Sequence, residues 1–150
     1  MDTRADADAP EVRRARDQQI ALARDQGAAA IAETMVSRLL APDTLRHNPT
    51  LAEQVRATMV ATPVPGIAGA LAAMRDRPDS TPLLGSLEGL PTLVVVGEHD
   101  EMTPPAGHEA LAASIPGARL AVIPGAGHLP PLEAPETVTR VLSAFLRNLE

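Results

Sequence analysis

Through the first half of this 150-residue chain, apolar residues recur at three- and four-residue spacing, which is the period of amphipathic helices. Residues 1–9 are polar and acidic and predict an irregular lead-in. A helix is expected from Pro10, since a first-turn proline forgoes only an N–H that would lack an intrahelical partner anyway. Asp8 is the candidate cap and Gly27 the expected stop. A second helix is predicted over 28–40, with Ile31, Met35, Val36, Leu39 and Leu40 on one face and Pro42 as its end. Asn48-Pro49 is a start signal for a third helix to about Ala61, striped by Leu51, Val55 and Met59. A short fourth helix over 66–75 turns Ile67, Leu71 and Met74 inward.

Near Arg77-Pro78-Asp79-Ser80 the pattern changes. Thr81–Leu87 reads as a turn or short helix. Thr92–Val96 is a continuous apolar run rich in valine, as expected of a strand buried on both faces of a parallel sheet. Thr103-Pro104-Pro105 opens a helix to about Ser114, and Pro116-Gly117 ends it. Arg119–Ile123 is a second strand, 124–133 a loop, and Pro135-Glu136 starts a last helix. Val138, Val141, Leu142, Phe145, Leu146 and Leu149 are expected on its buried side. The class is α/β: a helical part over 1–80, then β-α-β-α over 81–150. Its two strands are expected to be parallel and joined by a right-handed crossover.

Composition narrows the possibilities. The chain has one aromatic residue, Phe145, so Ala, Leu and Val must fill a core that is thin for its length. A net charge of −6 argues against a nucleic-acid or anionic-membrane partner. No cysteine is present, which excludes disulfides and thiolate chemistry. No histidine pair has metal-ligand spacing, and no cofactor is implied. No apolar run reaches the roughly 20 residues needed to span a bilayer, and the N-terminus has no signal core. The expected location is therefore cytoplasmic.

Two polar residues stand out. Asp100 lies just past the first strand, in Gly97-Glu98-His99-Asp100. His128 lies just past the second, in Gly125-Ala126-Gly127-His128. Groups beyond the carboxyl ends of parallel strands share one edge of the sheet, so the two are expected to meet. A carboxylate beside an imidazole fixes its tautomer and stabilises the imidazolium formed when the ring takes a proton. Gly125 and Gly127 provide backbone freedom to turn the ring into a site. For Asp100 the competing reading is a turn or helix-cap residue ahead of Pro104. The remaining histidines have plainer expectations: His99 exposed on a turn, His108 solvated on a helix, His47 in a loop. Arg13–Arg16 is read as a solvated helix face.

The runs Leu90-Pro91-Thr92-Leu93-Val94-Val95-Val96-Gly97-Glu98-His99-Asp100 and Ile123-Pro124-Gly125-Ala126-Gly127-His128-Leu129-Pro130-Pro131-Leu132-Glu133 resemble the acid-bearing and histidine-bearing strand ends of the α/β-hydrolase superfamily. The 28-residue interval from Asp100 to His128 is similar to the family's. The resemblance places the triad acid at Asp100 and the general base at His128. It implies that 1–80 is a helical cap and 81–150 the last β-α-β-α of the hydrolase sheet. Lactonase- and esterase-like members are nearest, so the implied substrate is a small carboxylic ester or lactone. Some members carry the acid after the strand before the cap, near Asp2 here, but Asp100 fits better.

One part of the family pattern is missing. The nucleophile of the superfamily sits on a G-x-S-x-G elbow ahead of the acid. Gly85-Ser86-Leu87-Glu88-Gly89 has the glycines, but its serine is misplaced and it precedes a strand. Thr103, Ser114 and Ser143 lack elbow context. The resemblance therefore implies a C-terminal portion whose nucleophile comes from a mate segment. The alternative is a truncated, non-catalytic protein acting as an interaction module. In either case an unpaired valine-rich strand edge leads us to expect self-association or a partner completing the sheet.

Overall fold

A computed structural model describes residues 3–149; Asp2, the alternative acid position, lies outside them. Helix α1 covers Pro10–Leu39 and is broken at Gly27, whose φ of 82° and ψ of 179° leave the helical region. The expected stop is thus a kink, with helix on either side. Pro42 closes α1 but also opens a further short helix, α2 (Pro42–His47), because a proline at N1 costs no hydrogen bond. His47 therefore ends a helix and does not sit in a loop; it is exposed. Helix α3 (Pro49–Ala61) begins where Asn48 accepts the Leu51 N–H on its side chain at 3.1 Å. Helix α4 is Val64–Arg75. Two small clusters hold these helices together. Ile20 packs with Ala68 and Leu71, and Leu40 packs with Leu51 and Val55.

Asp8 does not cap α1. Its carboxylate is fully buried and accepts from Arg16 Nε at 3.1 Å and Arg77 Nη2 at 2.5 Å. Burial pushes this carboxyl up, but Arg77 and Arg16 outweigh it and hold it below the usual carboxylate range. The lead-in is tied down again where Ser80 N–H donates to the Ala5 carbonyl at 2.7 Å. Arg16 is therefore an ion-pair partner, while Arg13 and Arg14 remain exposed.

A 3-10 turn at Thr81–Leu87 leads to β1 (Leu93–Gly97). Helix α5 (Pro105–Ala113) crosses to β2 (Arg119–Ile123), and the two strands pair in parallel from Leu93↔Arg119 to Gly97↔Ile123. A one-turn helix, α6 (Pro130–Glu133), interrupts the expected loop, and α7 (Pro135–Arg147) closes the chain. Val95, Ile123, Ala126 and Val138 form the cluster between the sheet and α7. Fully burying such a side chain contributes roughly 1.5–3 kcal/mol.

The apolar stripe of α7 is only half used. Val138 is buried, but Leu142, Leu146 and Leu149 are 37%, 58% and 47% exposed. Two strands offer too narrow a face to cover the rest of the stripe. Among the described residues, no strand pairs with the second edge of β1.

Candidate active site

Asp100 and His128 are brought together at the C-terminal edge of the sheet. Asp100 lies beyond β1 with a fully buried side chain, and its two oxygens have separate tasks. Oδ1 accepts the backbone N–H groups of Met102 and Thr103, each at 2.8 Å. Oδ2 accepts the Thr103 hydroxyl at 2.8 Å and faces His128 Nδ1 at 2.9 Å. One oxygen thus builds the turn before α5, and the other engages the histidine. Burial pushes the carboxyl up, but the Thr103 N–H, the His128 ring and the Thr103 hydroxyl together hold it below its ordinary value. As an ionised carboxylate only accepts, His128 Nδ1 must carry the ring proton. Nε2 is then the basic nitrogen, and among the described residues it has no hydrogen-bond partner.

Two glycines allow the histidine to reach this position. A Cβ on Gly97 would fall on the Gly127 carbonyl and lie 2.5 Å from that of Ala126, so only glycine lets the histidine loop cross the end of β1. A Cβ on Gly127 would come within 2.6 Å of the Ala41 nitrogen. Gly127 is thus required for close approach to the helical half, whereas Gly125 alone takes a left-handed φ, of 70°. The His128 N–H donates to the Leu39 carbonyl at 2.8 Å, which seats the loop on the end of α1. On the other side, Glu98 accepts the Gly125 N–H at 2.9 Å.

His128 borders a cavity of about 580 Å³ between the sheet edge and the helices. Met35, Leu39, Met59, Ile67, Leu71 and Met74 form its apolar wall. The stripes that pack α1, α3 and α4 together thus also face a space large enough for a small ligand; such sites commonly measure ~300–1,000 Å³.

The remaining candidates lie elsewhere. His99 is exposed, as expected. His108 is not solvated: it is 1% exposed, its Nε2 has no partner, and it borders an adjoining cavity of about 470 Å³ with Leu84 and Leu111. His108 is the buried residue of α5, while Ala106, Gly107, Ala110 and Ala113 lie on its exposed face. Ser86 is exposed and donates to the Leu83 carbonyl at 2.6 Å, and Ser114 donates to Ala110 at 2.8 Å. Thr103 is beside His128, but its hydroxyl lies 3.4 Å from Nδ1, the wrong nitrogen, and donates to Asp100. Among the described residues, no group of three His, Asp or Glu side chains is placed to hold a metal ion, and no single helix is long and apolar enough to cross a membrane.

The sequence did not single out Glu133. Its Oε1 accepts the N–H groups of Gly127 and Leu129, at 2.8 and 3.3 Å. Its Oε2 accepts the Ala41 N–H and the Thr44 hydroxyl, at 2.7 and 2.8 Å. Ala41 and Thr44 are 92 and 89 residues away, and no local pattern reveals such a contact.

Comparison with known proteins identifies the fold. The chain is 44% identical to a thermophilic esterase from Thermogutta terrifontis, with a TM-score of 0.93 over 98% of this chain and 54% of that one. It is 32% identical to a hydrolase from Pseudomonas aeruginosa, with a TM-score of 0.84 over 97% and 53%. It is 29% identical to the enol-lactonase from Burkholderia xenovorans, with a TM-score of 0.86 over 97% and 54%. The chain thus spans about half the length of these solved relatives. A polyketide synthase from Burkholderia thailandensis shares 47% identity over 70 residues, which are 47% of this chain and 3% of that protein. The family described as alpha/beta hydrolase fold matches residues 16–135, and the chain belongs to it.

Proposed function

We propose that this chain supplies the histidine and acid of a Ser-His-Asp hydrolase of small carboxylic esters or lactones, acting with a nucleophile borne on a segment outside these 150 residues. The observation that carries the reading is the Asp100–His128 contact at 2.9 Å, with Nε2 left free beside an apolar cavity. The esterase and enol-lactonase likenesses support the substrate class. Residues 1–80 act as the cap over the cavity, and 81–150 as the end of the catalytic core.

In this mechanism a serine Oγ attacks the substrate carbonyl while His128 Nε2 takes its proton. Asp100 holds Nδ1–H in place and stabilises the imidazolium. The tetrahedral adduct collapses as His128 returns the proton to the leaving alkoxide oxygen. Water then attacks the acyl-serine, His128 takes one of its protons and passes it to the serine, and the acid departs. No cofactor takes part. Hydrolysis of p-nitrophenyl acetate by the 150-residue chain, with His128→Ala as control, tests the need for an outside nucleophile. The two are expected to be alike, and turnover that depends on His128 would overturn that requirement.

The free edge of β1 favours a second reading, an interaction module that completes its sheet through another chain or copy. Sedimentation at micromolar concentration tests it: association is expected, and a clean monomer with cooperative melting refutes it.

A further inference from the structure

We propose that Glu133 is a positioning residue that sets His128 and fastens the helical half to it; this rests on the Asp100–His128 pair being the working pair. Four groups point at the Glu133 carboxylate: the N–H groups of Gly127, Leu129 and Ala41 and the Thr44 hydroxyl. All four are donors, and a carboxylate is the side chain that accepts only, with about four lone-pair sites across its two oxygens. One oxygen serves the residues flanking His128. The other serves the α1–α2 junction, next to Leu39, which receives the His128 N–H and lines the cavity. Glu133 therefore joins the wall of the cavity to the loop that carries the base.

The donor pattern separates two substitutions. Glutamine keeps one accepting oxygen. Turned toward Gly127 and Leu129, it leaves its NH₂ toward Thr44, whose hydroxyl can rotate to accept, and Ala41, whose N–H cannot. The opposite orientation would strand two N–H groups. Glu133→Gln is therefore expected to free Ala41 and spare the histidine loop, whereas Glu133→Ala releases both sides.

The test is NMR on the 150-residue chain, following amide exchange and the His128 Nδ1 proton, which is visible when held by Asp100. In Glu133→Gln, exchange at Ala41 should rise about ten- to a hundredfold, the equivalent of one charge-assisted hydrogen bond, with the Nδ1 signal retained. In Glu133→Ala, Gly127 and Leu129 should accelerate as well and the Nδ1 signal should be lost. Survival of that signal in Glu133→Ala, or unchanged exchange at Ala41 in Glu133→Gln, overturns the inference alone. Absence of the signal from the unsubstituted chain overturns the pair and this inference with it.

Discussion

Replacing Asp100 with asparagine tests the pair at one atom. Oδ1 can keep its two backbone N–H groups, which fixes the amide orientation and turns the new NH₂ toward His128 and Thr103. The Thr103 hydroxyl can rotate to accept. Nδ1 cannot keep its proton against another donor, so the ring must move that proton to Nε2, the nitrogen that would act as base. The structural change exchanges a charge-assisted hydrogen bond for a neutral one in a buried setting, a loss of roughly 1–1.5 kcal/mol. With a urea slope of about 1–3 kcal/mol per molar, the unfolding midpoint should fall by about 1 M. Nitrogen-15 shifts of the imidazole report the tautomer directly. In a completed enzyme the wrong tautomer should lower kcat by roughly 10⁴. An Asp100→Asn chain with an unshifted midpoint and an Nδ1-protonated ring would refute the reasoning.

Gly97→Ala should destabilise the chain by about 1–3 kcal/mol or more and displace the histidine loop, because the added methyl falls on the Gly127 carbonyl; denaturant unfolding measures this. Asp8 and Asp100 both have folded values below the ordinary carboxylate value, so their stabilisation is fully present above about pH 5 and is lost as the pH falls through the ordinary and then the folded values. Urea midpoints should hold steady from neutral pH to about pH 5 and then drop, less steeply in Asp8→Asn, which loses the Asp8 contribution. Ser86→Ala should leave esterase activity of a completed enzyme unchanged, because that hydroxyl is exposed and engaged with the Leu83 carbonyl.

Much of this arrangement is legible locally. The valine run of β1, the Asn48-Pro49 start of α3 and the two strand-end strings depend on neighbours in sequence, and the structure follows them. The meeting of Asp100 and His128 is legible because parallel strands send their C-terminal loops to one edge. What escapes is long-range partnership. Asp8 looks like a cap until Arg77 is seen to reach it from 69 residues away. His108 looks solvated on a helix of small residues, yet it sits on that helix's buried face, and the sequence around it does not mark which face that is. The stripe of α7 predicts burial, but a stripe does not specify how wide a sheet it meets. The cavity wall is hidden for a similar reason, since Met35 and Met74 look the same whether they pack a core or face a ligand.

The central claim is that Asp100 and His128 are the acid and base of a hydrolase. The most direct measurement fuses the front half of the Thermogutta terrifontis esterase, up to the point where the two align, to this chain, and follows p-nitrophenyl ester hydrolysis. The account predicts turnover that His128→Ala abolishes and Asp100→Asn reduces by orders of magnitude. A folded fusion that is inactive, or whose turnover survives His128→Ala, would contradict it.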